Sequence, residues 1–294
     1  MSYTLEKGGM RARVEAHGAE LVGLWDAEGI QYIWEGDPAY WAGRNPNLFP
    51  LVGDLENGQV WAGDKLCRMG RHGFARRKDF ALVRQNGDEI TLELRDDPET
   101  LEQYPFPFSF QVTHKLHSNG FSTTYRVKNT GSEAMPYCVG GHTAFRCPLL
   151  PGERFEEYRL LFDQEEDTLS PCLNGEGRIS FRRETAHFLA GSRELELDLA
   201  RFARYNTLMF RELRSHGVSL VHPGTGRGVR LDFSQFPMVA FWTTPGANYL
   251  CLEPWQGCAA TDEETGQFDE KPYHILLAPG EERSHTYTVT LLGI

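Results

Sequence analysis

The chain has 294 residues, 40% of them hydrophobic and 24% charged, with a formal net charge of -11. That length suits one large all-β domain with a substantial core, and the acidic balance argues against nucleic acid or an anionic membrane surface as partner. No apolar run approaches the ~18–20 residues of a membrane-spanning helix, and the first twenty residues, with Glu6, Lys7, Arg11, Arg13 and Glu15, lack the apolar centre of a signal peptide.

Strand signals begin at Arg11–Ala16 and stop at the turn His17-Gly18; the stretch before them, Tyr3–Lys7, is too short and mixed to assign. Ile90–Arg95 alternates apolar and polar residues with period two. The segment Pro98–Tyr104, opened by one proline and stopped before Pro105, predicts a short helix. Phe110–Leu116 and Phe121–Lys128 alternate again around His117-Ser-Asn-Gly120, and Asn-Gly there predicts a hairpin turn. Leu195–Phe202 reads as a second short helical turn. Val218–His222 and Gly228–Phe233 flank Pro223–Arg227 as another hairpin, and Ser284–Leu292 predicts a long terminal strand. Nothing resembles a linker or an internal repeat. The expectation is one all-β domain over residues 1–294, a large antiparallel sandwich with few short helices; a split near Pro148–Gly152 is the alternative.

The six cysteines, at 67, 138, 147, 172, 251 and 258, form no CxxC pair and match no zinc spacing. Free thiols in a reduced, cytoplasmic setting are expected, with Cys251 a small buried strand residue.

Four segments carry residues suited to chemistry. Trp41–Asp54 holds Arg44 and Asn45 between aromatic and proline residues, where an arginine fork could bind hydroxyls or phosphate. Arg71–Lys78 places His72 before Gly73 and gathers Arg71, Arg76, Arg77 and Lys78. Gly73 permits a backbone turn that presents the imidazole, and four cations are either a solvated face or an anion site. Val139–Phe145 sets two glycines before His142, a bulge that allows close approach of backbone or ligand. Phe241–Trp255 carries Glu253 between Leu252 and Pro254, where partial desolvation would raise its pKa and strengthen it as a base. Trp242 and Trp255 in that segment offer flat apolar faces that suit the C–H faces of a pyranose.

Together, Arg44-Asn-Pro-Asn-Leu-Phe-Pro50, His72-Gly-Phe-Ala-Arg76, His142 and Leu252-Glu-Pro-Trp255 resemble the aldose 1-epimerase family, the galactose mutarotases, and within it a bacterial subgroup with a His-Gly-Phe-Ala-Arg segment. The resemblance runs from about residue 10 to the end. It implies a β-supersandwich and interconversion of α and β sugar anomers without metal or nucleotide cofactor. By the same resemblance Glu253 removes the anomeric hydroxyl proton and His142 protonates the ring oxygen; the acid/base chemistry itself suggests that the two stand on opposite sides of the substrate. His72 and Arg44 then orient the sugar, with Arg76 and Trp242 also counted as substrate-binding. The family's sugar-holding Asp has no clear counterpart in Phe202–Glu212, where Asn206 and Glu212 are the polar candidates. Two alternatives remain: a hexose-6-phosphate 1-epimerase using the Arg76 cluster, and a carbohydrate-binding protein without catalysis. The expected partner is a small sugar, and the expected assembly a monomer or homodimer.

Overall fold

The structure, a computed structural model, describes residues 1–294. It is a large antiparallel β-supersandwich with two short α-helices. Alternation dictates the longest ladder. In Phe108–His117, Phe108, Phe110, Val112, His114 and Leu116 are fully buried on one face, and the strand pairs antiparallel with Gly120–Asn129 across the predicted turn. That hairpin sits inside a nine-stranded sheet. From one edge its strands are Ser192–Glu196, Arg159–Glu166, Gly217–Val221, Gly228–Asp232, Glu282–Leu292, Gly120–Asn129, Phe108–His117, Glu89–Arg95 and Ala81–Gln85. A buried core cluster of 71 residues reaches from Leu5 to Leu291 and draws on both sides of Pro148–Gly152.

The opening segment, left unassigned by pattern, is a strand, Ser2–Lys7, because Met10–Glu15 supplies its ladder partner. The helix at Pro98–Gln103 forms as expected, with Asp97 accepting from the Thr100 amide as its cap. The expected turn at Leu195–Phe202 is displaced. Strand Ser192–Glu196 runs through its first residues, and the helix starts only at Leu199, after the Asp198 cap.

A five-stranded sheet faces the nine-stranded one. Its central strand Tyr249–Gln256 pairs on one side with Met238–Trp242, which pairs with Thr207–Arg211, and on the other with Val139–Gly140 and Thr143–Arg146. Successive side chains of a strand point to opposite faces. Phe210, Phe241 and Leu252 join the core, where Phe162 of the larger sheet lies 5.5 Å from the Phe210 ring and 6.1 Å from that of Phe241. Met209, Ala240 and Glu253 therefore face the other way, and that outer face carries the site.

Candidate active site

His142 and Glu253 are cross-strand neighbours. Gly140 pairs with Trp255 and Thr143 with Leu252, so unchanged register sets His142 opposite Glu253. The Gly141 amide donates to the Pro254 carbonyl at 3.0 Å, but Pro254 has no N–H to return the bond. The next pair along, His142 and Glu253, is thus a non-hydrogen-bonded pair, in which side chains approach most closely. Their heavy atoms meet at 3.2 Å, His142 Nε2 to Glu253 Oε2, with both residues buried. A Cβ on Gly141 would lie 2.8 Å from the Tyr287 ring, so glycine is required where this strand crosses the core.

His72 arrives from a loop. His72 and Gly73 both take left-handed backbone angles, φ 64° and 68°, and a Cβ on Gly73 would stand 2.3 Å from the Phe49 carbonyl oxygen. The turn is clamped by the His72 amide donating to the Gly53 carbonyl at 2.8 Å. The Gly53 amide in turn donates to His72 Nδ1 at 3.0 Å. An Nδ1 that accepts leaves the proton of the neutral ring on Nε2. Burial, followed by the neighbouring His142, holds His72 well below the usual imidazole range, so it is a fixed neutral donor. The two imidazole rings lie edge to face, 5.4 Å apart.

These groups open onto a cavity of about 250 Å³. Trp41 packs on His142 at 5.0 Å and edge-on to Trp242 at 5.3 Å, and Trp255 adds a further indole. Arg71, Arg76, Asp54 and Asn206 supply polar lining. Arg71 is tied to Asp54 at 2.6 Å, whereas Arg76 forms no ion pair. The roof is the hairpin Ser170–Leu173 and Ile179–Ala186, which contributes Leu173, Gly177 and Ile179. Arg178 pins it to Glu56 at 2.6 Å.

Burial dominates the electrostatics. It pushes the Glu253 carboxyl well above the carboxylate range, opposed by the nearby Trp255 indole. It pushes His142 down to about 3, helped by Arg76 and Arg71. The resting pair is accordingly a neutral acid beside a neutral imidazole. Moving one proton across the 3.2 Å gap converts it to an ion pair without changing the total proton count. Glu253 Oε2, His142 Nδ1, Trp255 Nε1 and Arg76 Nε are buried without a hydrogen-bond partner, four of the seven such atoms in the molecule. Unsatisfied polar atoms are costly, and here the four residues that carry them line one hollow.

Several sequence expectations land differently. Glu253 and His142 do not stand on opposite sides of a substrate-sized space but touch side by side on one wall. Arg44 is not among the residues lining the cavity. Its Nε donates to the Glu35 carbonyl at 2.8 Å, and its own carbonyl accepts from the Ala144 amide, so it braces the strand that carries His142. Asn206 lines the cavity with φ 61° and ψ -68°, its Oδ1 accepting from Trp242 Nε1 at 3.2 Å. Glu212 lies outside the lining and accepts from the Tyr273 hydroxyl. The cationic run disperses: Lys78 leaves for Asp97 and Glu99, and only Arg71 and Arg76 reach the cavity. Trp41, Asp54 and the roof hairpin were missed; Asn174-Gly175 at the hairpin tip was the available turn signal.

Residues 1–290 match the family profile described as aldose 1-epimerase. The chain is 31% identical over 302 residues to the chromosomal LacX protein of Lactococcus lactis, with both chains fully covered. Among solved structures, a galactose mutarotase related enzyme from Lactobacillus acidophilus superposes with a TM-score of 0.93 at 29% identity, covering 99% of this chain and 97% of that one. A galactose mutarotase-like protein from Lactobacillus casei gives 0.87 at 26% identity, covering 99% and 100%.

Proposed function

The chain belongs to the aldose 1-epimerase family, and from that premise we propose that it interconverts the α and β anomers of a free aldohexose by paired proton transfer. The observation that carries this reading is the 3.2 Å contact between His142 and Glu253 at the wall of a cavity rich in unsatisfied polar atoms. In a cyclic hemiacetal the anomeric hydroxyl and the ring oxygen share one carbon. An acid and a base that must serve both atoms belong beside each other, not across the ring. Glu253 takes the hydroxyl proton while His142 delivers one to the ring oxygen. The C1–O5 bond opens, the aldehyde rotates about C1–C2, and reclosure reverses both transfers. Ring opening starts from carboxylate and imidazolium and leaves the neutral acid and neutral imidazole that burial favours.

The other groups hold the sugar. His72 donates from Nε2, Arg76 and the Asn206 amide face its hydroxyls, and Trp41, Trp242 and Trp255 cover its apolar faces. Positioned proton transfer contributes roughly 10²–10⁴-fold per group. Replacing Glu253 by Gln is expected to return the equilibration of α-glucose or α-galactose, followed by polarimetry, to its spontaneous rate. Retention of the wild-type rate refutes the assignment of the base. A carbohydrate-binding protein without catalysis gains nothing from an acid–base pair in contact.

One observation favours a second reading, a hexose 6-phosphate as substrate. Arg76 is half-buried at the cavity with no carboxylate partner, and a guanidinium suits a phosphate. If this holds, Arg76→Ala lowers kcat/KM for glucose 6-phosphate at least tenfold more than for glucose. An equal loss on both sugars assigns Arg76 to hydroxyl binding.

A further inference from the structure

The face that carries the acid–base pair holds a third donor that epimerisation does not use. Cys251 precedes Glu253 by two residues on the same strand, so both side chains leave the sheet on one face. Ala144, opposite Cys251, and Ala240, opposite Glu253, are too small to separate them from what lies above. As a result a nitrogen of His142, the Cys251 sulfur and a Glu253 carboxyl oxygen all lie within 4.8 Å of one another, and all three residues are buried.

We propose that His142, Cys251 and Glu253 form a binding site for a thiophilic divalent cation of the zinc class, and that cation and sugar turnover exclude each other. The donor set, imidazole, thiolate and carboxylate with one place left open, suits zinc and disfavours magnesium or calcium, which take oxygen ligands. Tetrahedral zinc with these bond lengths separates its ligands by about 3.3–3.6 Å. The His142–Glu253 contact is already 3.2 Å, and the sulfur, within 4.8 Å of both, has at most about 1.3 Å to close. Of the two atoms in that contact, Glu253 Oε2 is buried with no hydrogen-bond partner. The fourth position would open toward the cavity, where water completes the shell. On binding, the thiol proton, and that of the Glu253 carboxyl where present, pass to solvent as cation–sulfur and cation–oxygen bonds form; nothing is oxidised. The cation is not a cofactor of the proposed reaction. It occupies the base and the acid together and stops the proton exchange between them. Half-exposed Trp41 and Trp242 pack on His142 and against the small cluster that contains Cys251, so entry must also disturb those indoles.

The test titrates the purified chain with Zn²⁺ by calorimetry, and with Co²⁺ followed by its thiolate charge-transfer absorption. Wild type, Cys251→Ala and Cys251→Ser are compared, with Mg²⁺ as control. The expected result is one zinc per chain, at least 100-fold weaker in Cys251→Ala, with cobalt–thiolate absorption only in the wild type. Zinc is expected to change tryptophan fluorescence and to inhibit wild-type anomer exchange, while Cys251→Ala in chelator keeps the wild-type rate. Equal zinc affinity in wild type and Cys251→Ala overturns the proposal, since the cation then sits elsewhere, for example at the exposed pairs His17–Asp79 or His187–Asp167. Undiminished turnover in the zinc-loaded protein overturns the exclusion of sugar. Only the inhibition arm rests on the epimerase reading. Cysteine-dependent binding without any sugar turnover leaves the cation site standing and removes the proposed function, and turnover without zinc binding does the reverse.

Discussion

A carboxyl buried as completely as that of Glu253 stays protonated in the fold while its unfolded counterpart ionises near 4.5. A raised folded pKa means the fold binds more protons than the unfolded chain. The penalty is absent below the unfolded value and grows as pH rises toward the folded one. Glu253→Gln removes that penalty together with the base. The variant should therefore have a higher urea midpoint than wild type, with a gap that widens as pH rises above the unfolded value of 4.5. A pH-independent gap would show that the carboxyl is not held protonated. Residue types in unusual backbone or apolar settings pointed toward Glu253, His142, His72, Arg76 and Trp242, and the family resemblance, not residue type alone, gave them roles. Arg44 shows where that reasoning ends. An arginine fork binds backbone carbonyls as readily as hydroxyls, and only the position of Glu35 decides between them here.

At the scale of the element, the site is a matter of strand register. His142 meets Glu253 because Gly140 and Thr143 keep one register on either side of a rung that Pro254 leaves half-made. Gly141→Ala puts a methyl group against the Tyr287 ring, so the strand must shift or the ring must turn. Overpacking of this kind costs about 1–3 kcal/mol. A lower urea midpoint is expected, together with a fall in turnover larger than the change in KM, because the pair is misplaced while the sugar-holding loops are not. Unaltered turnover in a folded variant would mean that the register tolerates the shift. The strands themselves were legible, since period-two alternation needs only one buried face. Ser2–Lys7 was not, because a short mixed segment becomes a strand only when a partner satisfies its backbone.

For the molecule as a whole, burial of imidazoles sets the response to acid. His114 and His285 are pushed down to about 4 and His142 to about 3, while His72 lies well below its ordinary value, each chiefly by desolvation. His114 is held neutral between the Ala19 carbonyl and Thr123, and His285 meets the Tyr137 hydroxyl. A depressed folded pKa contributes stability that is present above the unfolded value, 6.5, and is lost as pH falls toward the folded one. Each such histidine weakens the fold by up to about 1.4 kcal/mol per pH unit in that window. Four imidazoles outweigh the single opposing carboxyl of Glu253. Urea midpoints should therefore fall steeply between about pH 6.5 and about pH 4.5; a flat profile would mean that these rings are solvated. The sequence by itself determined the all-β character, the hairpins and the residue types able to move protons, because alternation, turn chemistry and side-chain pKa are local properties. Tertiary structure alone decided which imidazole touches the carboxyl and which arginine reaches the cavity. The first depends on strands more than a hundred residues apart sharing one sheet and the second on a loop that folds over that sheet, and neither leaves a trace in the order of the residues.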